Sequence, residues 1–468
     1  MNNVIDTYKK LAALFAAGLI VSACAQTPLP ELPASDVPAE YQGVGADAVA
    51  WPASDWWRNF ESDELMAVID QVRDRNLVLG NNERNLRLAQ LTLRDAGFDL
   101  LPTPFVDVGG SSNYSGAEVS GGSYADGGSD SFDLAASFAY TDILSKPGQW
   151  DAAKGRFDFS VAQVADVRLN TMGTAASTYF RVLLLRDRIA AAIQNVKNAE
   201  AITTIVEARV DAGTVNKIDL LQQRIALQRE KNRLSSLQQD EFEARAALAL
   251  LLAENVADVN VAATTLANVT VPTVAPGLPS ELLTRRPDIM QAEANLRVSR
   301  ANVDLARLAY LPNISITGSA WLVSDSLGQL IDDGDRTVNA TASLSQLLLD
   351  NGARGRNVER NRLQLESSLA DYRETVLSAF NEIEVSLGNI ELLDALGRVA
   401  GEDLKRAEEA FRIAEVRYRE GVDGYQTVLT AQDALFAARD TSLDNKLAQL
   451  NAVIAFYQSL GGGWSADQ

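Results

Sequence analysis

Residues 310–319, with the sequence YLPNISITGS, decide the fold because the hydrophobic pattern changes its period there. Pro312 cannot continue a helix, since it lacks a backbone N–H and its ring clashes with the preceding turn. After it, Ile314 and Ile316 alternate with hydroxyl residues, which is the period-2 pattern of a β-strand. The stretch therefore predicts the end of a helix followed by a strand with one apolar and one polar face.

The same pattern occurs 208 residues earlier, at residues 102–111 with the sequence PTPFVDVGGS. At this offset Arg209 and Gly213 align with Arg417 and Gly421, and the correspondence extends over more than 120 residues. We therefore interpret the chain as a tandem internal repeat.

Each copy of the repeat is expected to contain a helix, a β-hairpin, a very long helix, a glycine-containing break and a second long helix. The first copy covers residues 61–265, with its hairpin at residues 104–144. The second copy covers residues 266–460, with its hairpin at residues 312–348, and a tail follows at residues 461–468.

Other stretches alternate in the same way, with apolar residues at Phe132, Leu134, Phe138 and Tyr140, and at Val338, Ala340, Ala342 and Leu344. The stretches 115–130 and 324–336 are rich in Gly, Ser and Asp and are expected to be loops. The polar face carries mostly hydroxyl and amide groups, which is typical of a transmembrane strand beside a wet lumen. An ordinary half-buried hairpin of a soluble sheet is the alternative.

Two hairpins give four strands per chain, whereas the smallest closed barrels have about eight. Open sheet edges are not tolerated in lipid, because unpaired backbone groups find no hydrogen-bond partner there. If the strands span a membrane, three chains with cyclic symmetry would supply twelve strands. The sequence therefore predicts an α+β membrane protein that forms a homotrimer around a twelve-stranded β-barrel.

The remaining sequence predicts unusually long helices. Proline is absent from Asp151 to Gly213 and from Arg356 to Gly421. Helices of roughly 60 residues would be about 90 Å long. Such helices must pack lengthwise, as coiled coils or as a helical barrel.

Both long helices are expected to end in a tight reversal. Gly213 and Gly421 suit the left-handed position that follows a helix C-terminus. Asn216 is expected to cap the next helix, with Asp219 at its third position. In the second copy, Asp423 is expected to be the cap. For Asp219 and Asp423, a role in capping alone and a role at the mouth of a pore both remain open.

Composition excludes several classes of function. The 468 residues include no histidine and one cysteine, which excludes a Ser-His-Asp triad, imidazole metal ligands and an intrachain disulfide. A net charge of −20 argues against a nucleic-acid partner. No phosphate-binding glycine loop and no supported pair of catalytic carboxylates is recognised, so we expect no enzyme, no cofactor and an energy source in a partner.

Residues 1–23 are interpreted as a lipoprotein signal peptide. An apolar run from Leu11 to Val21 is too short to span a bilayer but suits a signal sequence, and it leads to Ser-Ala-Cys at residues 22–24. We expect Cys24 to carry an S-diacylglycerol and an N-palmitoyl group and to begin a tether at residues 24–60. An ordinary signal peptide is the alternative, which the position of the only cysteine disfavours.

Several short segments together have a family's order: LPSELL at 278–283, RRPDI at 285–289, AE at 292–293, YLPNISITGS at 310–319, RY at 417–418, GVD at 421–423, AQ at 431–432 and LGGGW at 460–464. With them the chain resembles the outer membrane factors of Gram-negative tripartite efflux pumps, in the lipoprotein (NodT-type, OprM-like) branch of the TolC superfamily. The resemblance covers nearly all of the mature chain.

The resemblance implies a trimeric conduit in the cell outer membrane, with its β-barrel continuous with a long periplasmic α-helical barrel. Drugs or other small molecules would pass through it to the exterior when a periplasmic adaptor (membrane fusion) protein opens it. An inner-membrane RND transporter would supply the energy, and outer-membrane lipid would surround the barrel.

The helix tips would then form the periplasmic aperture. Close relatives have an acidic residue in the tip helix where this chain has Thr430, and the nearby acids here are Asp423 and Asp433. Asp219 is a further candidate. Threefold symmetry would turn any such acid into a ring that favours cations over anions.

Two other functions fit the sequence less well. The conduit could serve a type I protein secretion system, which the lipoprotein signal ending in Ser-Ala-Cys at residues 22–24 and the RRPD segment disfavour. A periplasmic coiled-coil lipoprotein without a pore is disfavoured by the four alternating strands.

Overall fold

The computed structural model describes residue 51 and residues 53–119, 123–274, 282–331 and 335–462. The predicted signal peptide, the predicted lipid site at Cys24 and residues 463–468 lie outside the described residues.

Helices account for most of the described chain. The first half contains α1 (Asp63–Arg75), α2 (Leu77–Phe98), β1 (Thr103–Val119), β2 (Ser123–Tyr140), α3 (Lys146–Asp211) and α4 (Lys217–Leu252). The second half contains α5 (Leu282–Arg285), α6 (Pro287–Leu308), β3 (Asn313–Ser324), β4 (Asp335–Ser345), α7 (Ala353–Arg419) and α8 (Tyr425–Ser459). Short 3₁₀ helices lie at Trp56–Phe60 and Leu327–Gln329.

The prediction of two very long helices is confirmed. Helix α3 has 66 residues and α7 has 67 residues. Each is followed within a few residues by a shorter helix, α4 with 36 residues and α8 with 35 residues. The order of helix, hairpin, long helix and second helix therefore occurs in both halves of the chain.

The four strands form one antiparallel sheet in the order β1-β2-β3-β4. The prediction of four strands per chain is confirmed, but the expected loop at 115–130 is wrong. Strand β1 continues to Val119, β2 begins at Ser123, and these two residues are the last pair of a continuous ladder. The ladder is formed by backbone hydrogen bonds, which need no apolar side-chain pattern, so the Gly- and Ser-rich composition does not prevent a strand.

The registers give the sheet an apolar face and a polar face. The apolar face carries Val106, Val108, Leu134, Phe138, Ile314, Ile316, Val338 and Leu344. The polar face carries Ser137, Thr317, Ser319, Asn339, Thr341 and Ser343. On the apolar face the ring of Phe138 covers Gly318, where any Cβ would overlap it, so the aromatic side chain fills the space that the glycine leaves.

The described chain divides into two compact units. The sheet unit comprises the described residues of 86–160 and 291–372, and the helical unit comprises those of 53–85, 161–290 and 373–462. Within the sheet unit, Leu296, Val303 and Leu365 form a buried contact between α6 and α7.

An aromatic cluster forms the core of the helical unit. Phe60 and Phe180 have ring centroids 5.2 Å apart, and Trp56 and Tyr457 also lie 5.2 Å apart. Pairs of this kind contribute about 0.5–1.5 kcal/mol beyond the burial of their area. They join the N-terminal segment to α3 and to the end of α8.

Glu64 fastens the connection after α4 to this core. Its carboxylate accepts hydrogen bonds from the Tyr179 hydroxyl (2.9 Å) and from the backbone N–H of Ala263 (3.0 Å). It also accepts one from the backbone N–H of Ala262. Burial raises the pKa of Tyr179 far above its usual value, so this phenol is a hydrogen-bond donor at all physiological pH values.

Among the described residues, no helix combines the length and the apolar content needed to cross a membrane.

Gly155 provides a test of helix packing in the sheet unit. A Cβ at this position would lie 2.7 Å from Cγ2 of Val298 and 3.4 Å from the carbonyl oxygen of Ala294. Val298 is β-branched and has essentially one rotamer in a helix, so it cannot move aside. We expect Gly155→Ala to destabilise the fold by about 1–3 kcal/mol through overpacking.

The matched control is Gly388→Ala on α7, where no atom lies within 4 Å of the added Cβ. There alanine should stabilise the helix by roughly 0.5–1 kcal/mol. Thermal unfolding in detergent, followed by circular dichroism, measures both variants. Equal midpoints for the two variants would contradict the packing described for Gly155.

Candidate functional site

The reversal between α3 and α4 is built by backbone hydrogen bonds. Gly213 has φ +71°, and its N–H donates to the carbonyl of Val210. The N–H of Thr214 donates to the carbonyl of Arg209 (2.9 Å), which completes a Schellman motif. A left-handed residue costs little only when it is glycine, so the sequence stops the helix at this point.

The next helix begins as the sequence predicts. Asn216 is the N-cap of α4, and its side chain accepts a hydrogen bond from the N–H of Ile218 (3.2 Å). Asp219 lies in the first turn, where a negative charge interacts favourably with the helix dipole. The structure thus accounts for Asp219 as part of the helix start, and its role at an aperture stays a prediction.

The reversal between α7 and α8 repeats this geometry. Gly421 has φ +78°, its N–H donates to the carbonyl of Tyr418 (3.0 Å), and the N–H of Val422 donates to the carbonyl of Arg417 (2.9 Å). The two long helices therefore end in the same motif, at positions that align in the repeat.

The prediction that Asp423 caps α8 is wrong. The N-cap is Gly424, which has no side chain to make a capping bond. The carboxylate of Asp423 instead accepts two hydrogen bonds from Arg417, from Nε (2.7 Å) and Nη2 (3.0 Å). A bidentate, charge-assisted pair is stronger than a single capping bond, so the carboxylate binds the guanidinium of Arg417 instead of the backbone N–H groups of α8.

This pair changes the acid–base properties of the turn. The hydrogen bonds from Arg417 lower the pKa of Asp423, and those same bonds raise the pKa of Arg417. Asp423 is therefore ionised at neutral pH, with a positive charge directly beside it. A carboxylate that is already paired adds less negative potential to its surroundings than an unpaired one.

The aligned arginine of the first copy has different partners. Nη2 of Arg209 donates to the carbonyl of Tyr418 (2.8 Å), and its guanidinium lies 4.4 Å from the centroid of the Tyr418 ring. Arg209 therefore links the end of α3 to the end of α7. The two helix pairs also share a buried apolar cluster near their tips, formed by Ile202, Val206, Leu220, Ala414, Tyr418 and Val428.

A groove of about 630 Å³ lies between α7 and α8 at this end of the helix pair. Alanines line its length, at positions 410, 414, 431 and 434, and Arg417 and Asp423 lie at its tip. Thr430 also lines the groove, and its hydroxyl donates to the carbonyl of Gln426 on its own helix (2.9 Å). Thr430 therefore offers the groove no charge and only a partly engaged hydroxyl.

Asp433, the fourth predicted aperture residue, is exposed, and its charge affects the pKa of Glu230, a buried acid of α4. Glu230 is 7% exposed, and among the described residues its Oε2 atom has no hydrogen-bond partner. Burial raises the pKa of Glu230, and the charge of Asp433 adds to the rise while Arg233 opposes it. The structure thus brings Asp423 and Thr430 together in one groove. It places Asp433 near Glu230, where the negative charge of Asp433 disfavours ionisation of Glu230.

The RRPD segment forms a structural junction in the helical unit. Arg286 is 6% exposed, and it donates to Asp288 (2.6 and 3.0 Å), to Glu382 (2.8 Å) and to the carbonyl of Ser459 (2.8 Å). Burial alone would lower the pKa of Arg286, but the two carboxylates raise it above its usual value. The arginine therefore fastens the start of α6 to α7 and to the end of α8.

The sequence did not indicate that Arg417 binds Asp423, or that ion pairs join the long helices. Arg188 of α3 pairs with Asp444 of α8 (2.6 Å), and Arg233 of α4 pairs with Asp440 of α8. These partners lie on different helices, so no local spacing in the sequence could reveal them. Within the described ranges, no group of three or more His, Cys, Asp or Glu side chains could hold a metal ion.

Sequence comparison places the chain among known proteins. The profile of the family described as outer membrane efflux protein matches residues 68–254 and 278–462. The pyoverdine export outer membrane protein OpmQ of Pseudomonas aeruginosa is 31% identical over 98% of this chain and 98% of its own length. The outer membrane protein OprJ of the same species is 26% identical over 97% of this chain and 96% of its own length.

Solved structures have the same fold. The open state of the MtrE outer membrane channel of Neisseria gonorrhoeae superimposes with a TM-score of 0.83 at 25% identity, over 94% of this chain and 98% of its own. The outer-membrane channel OprN superimposes with a TM-score of 0.82 at 22% identity, over 94% of this chain and 98% of its own.

The pair between Arg417 and Asp423 leads to a test at the second reversal. We expect Asp423→Asn and Arg417→Gln each to increase the hydrogen exchange of the backbone amides at residues 421–426, because each variant removes the bidentate contact. The double variant should exchange no faster than the single variants, since both act on one interaction. Additive effects in this double-mutant cycle would show that the two side chains act independently.

The same pair predicts a pH dependence. The pKa of Asp423 is lowered in the folded protein, so the stabilisation is fully present above the usual aspartate range and is lost as the pH falls through the lowered pKa. In the parent protein, the protection of these amides should therefore fall in acid, after correction for intrinsic exchange. The Asp423→Asn variant should show no such fall.

Proposed function

The chain belongs to the outer membrane efflux protein family, and from this membership we propose that it forms the trimeric outer-membrane channel of a tripartite efflux pump. Its function is export across the outer membrane, as the relatives named for efflux or export indicate. The family comprises transport components, and nothing in the site described above suggests catalysis.

The open four-stranded sheet is the observation that best supports the proposed trimer. Strands β1 and β4 are its edges, and each has a row of backbone groups that pairs with no further strand in the part of the chain that the structure describes. In hydrocarbon such edges must be paired. Pairing β4 of one subunit with β1 of the next closes a ring after three subunits, with twelve strands.

The two faces of the sheet fit the two sides of such a barrel. The apolar face carries Val, Ile, Leu and Phe side chains that suit lipid, and the polar face carries the hydroxyl and amide groups that suit a wet lumen. The strands are long enough, since transmembrane strands need about 9–11 residues and the shortest strand here has 11.

The long helix pairs would form the periplasmic part of the conduit, with the two reversals at its aperture. Six helix pairs in the trimer would surround a passive pore that is closed at rest. A periplasmic adaptor protein would open it by binding the open state more tightly, because a ligand shifts an equilibrium only through its differential affinity. The groove between α7 and α8 is the surface we assign to the adaptor, and an inner-membrane RND transporter would supply energy.

The relatives favour small-molecule export over protein secretion. Several relatives are named for the export or efflux of pyoverdine, solvents, toluene or antibiotics. The substrate class of this chain would accordingly be small organic molecules.

The assignment of faces is tested by two substitutions on neighbouring residues of β2. Phe138→Arg places a charge on the lipid face, at a cost of roughly 2–4 kcal/mol in each subunit near the bilayer midplane. Ser137→Arg places the same charge in the lumen and should be tolerated. We expect the first variant to fail in trimer assembly and the second to assemble.

The measurements are the mass of the detergent-extracted protein and dye efflux in a strain that lacks its own outer-membrane efflux component. Ser137→Arg should form a trimer and restore efflux. A monomeric mass for the parent protein, or equal assembly of the two variants, would overturn the proposed barrel.

We also propose that Cys24 anchors the protein in the inner leaflet of the outer membrane through its lipids. Cys24→Ser should abolish palmitate labelling and processing of the signal peptide, and it should leave the mature fold able to form. Metabolic labelling with palmitate, followed by isolation of the protein, measures this. Continued labelling of the serine variant would rule out Cys24 as the lipid site.

A further inference from the structure

One row of residues on the polar face of the sheet differs from the rest of that face. The registers join Asp107 of β1, Ala135 of β2, Trp321 of β3 and Thr337 of β4 across the sheet. Trp321 is 50% exposed, and with Phe105 and Val323 it is one of the large apolar residues on a face that otherwise carries mostly small, hydroxyl, amide and acidic residues. Because half of the indole remains exposed, packing within the sheet does not explain a tryptophan at this position.

Three acidic residues surround this indole on the polar face: Asp133 and Asp107 on its β2 and β1 side, and Asp335, which is its diagonal neighbour on β4. Asp133 is opposite Gly109 and its carboxylate lies against that glycine, where a Cβ would overlap it. Asp133 and Asp107 are diagonal neighbours on the polar face, and Asp133 is also a diagonal neighbour of Trp321, at a typical spacing of about 7–8 Å. Ala135 lies between Asp107 and Trp321 and carries only a methyl group, which leaves space between acid and ring.

Along the four strands as the structure describes them, the polar face has no positive charge that could neutralise these acids. Six acidic residues occur on the four strands, two on β1, three on β2 and one on β4. The only basic residue is Arg336, which pairs with Leu322 and therefore belongs to the apolar face. The acids of the polar face are thus available to a cation from solution.

We propose that Trp321, Asp133 and Asp107 form a binding site for organic cations on the lumen wall of the barrel. The ammonium group of the ligand lies between the carboxylates and the face of the indole, and its apolar body covers the ring. The proposal rests on the trimeric channel proposed above, and it names the substrate class that the wall of this channel holds. Each subunit supplies one such site, so the barrel contains three.

Physical chemistry favours this class of ligand over others. A cation is attracted to the face of an indole by the ring quadrupole, and quaternary ammonium groups are bound in this way by aromatic side chains. An anion would face uncompensated carboxylates, and an inorganic cation would gain little from an aromatic surface that cannot replace its water. A ring and two acids on one surface therefore select a charge with an apolar body.

The test is isothermal titration of the full-length protein in lipid nanodiscs with benzyltrimethylammonium, with empty nanodiscs as a blank. Tetramethylammonium has the charge without the ring, and benzenesulfonate has the ring with the opposite charge. We expect the benzyl cation to bind more tightly than tetramethylammonium and benzenesulfonate not to bind. Equal binding of the cation and the sulfonate would overturn the site.

Substitutions at Trp321 and Asp133 test whether these residues bind the cation. Trp321→Ser should weaken binding of the benzyl cation by about two- to fivefold, the range expected for an exposed cation–π contact, and Trp321→Phe should have a smaller effect. Asp133→Asn should weaken both cations, and more so at low salt. Asp130→Asn is the matched control, because Asp130 is on the same strand but on the other face, where its carboxylate accepts a hydrogen bond from Ser112 (2.7 Å).

The mass of the same nanodisc sample separates the two proposals. A trimer that binds the benzyl cation equally in the parent, Trp321→Ser and Asp133→Asn proteins would overturn the site and leave the channel. A monomer would overturn both. A trimer whose affinity falls in Trp321→Ser and Asp133→Asn but not in Asp130→Asn supports the site.

Discussion

Strands β1 and β4 are the edges of the sheet, and each carries a row of backbone N–H and C=O groups that no other strand of the described residues pairs. In water these groups would be hydrated, but in hydrocarbon each unpaired group costs several kcal/mol. A chain with four strands cannot remove this cost alone, because closure needs at least about eight strands. For the proposed barrel, assembly would therefore be part of folding.

The two halves of the chain, which share one order of elements, fit this constraint. Each copy supplies one hairpin to the sheet and one pair of long helices, so three subunits would present six similar helix pairs around an axis. The reversals between those helices are made by backbone bonds and a left-handed glycine, at Gly213 and Gly421. Such turns need few side chains to form, so side chains nearby are free to differ between the copies.

Local rules of helix and strand formation explain which features could be predicted from the sequence. The alternation at 132–140, 314–320 and 338–345 indicated strands, and the glycines indicated the reversals, because each signal arises from neighbouring residues. The outer part of the first hairpin escaped this reasoning. There Gly, Ser and Asp predominate in the sequence, so no apolar alternation marks the strands, although their backbones form a continuous ladder.

The site was harder to predict than the fold for a related reason. Asp423 is a residue type that commonly caps helices, and it lies just before α8. Its carboxylate nevertheless binds Arg417 across the turn, and Gly424 is the N-cap. The ion pairs of Arg188 and Arg233 join helices that are far apart in the sequence. Contacts between helices depend on how those helices pack, so local sequence patterns do not predict them.

The two aligned arginines show how the repeat acquires different functions in its two copies. Arg417 binds an acid of its own turn, whereas Arg209 lacks such an acid, since the aligned position is Val215, and binds Tyr418 of the other copy. One arginine thus stabilises a single helix reversal and the other joins two. In the proposed trimer, the bidentate pair of Arg417 with Asp423 would occur at three of the six reversals. The aperture would then have threefold electrostatic symmetry on a nearly sixfold backbone, and a partner protein could distinguish the two kinds of helix pair by charge.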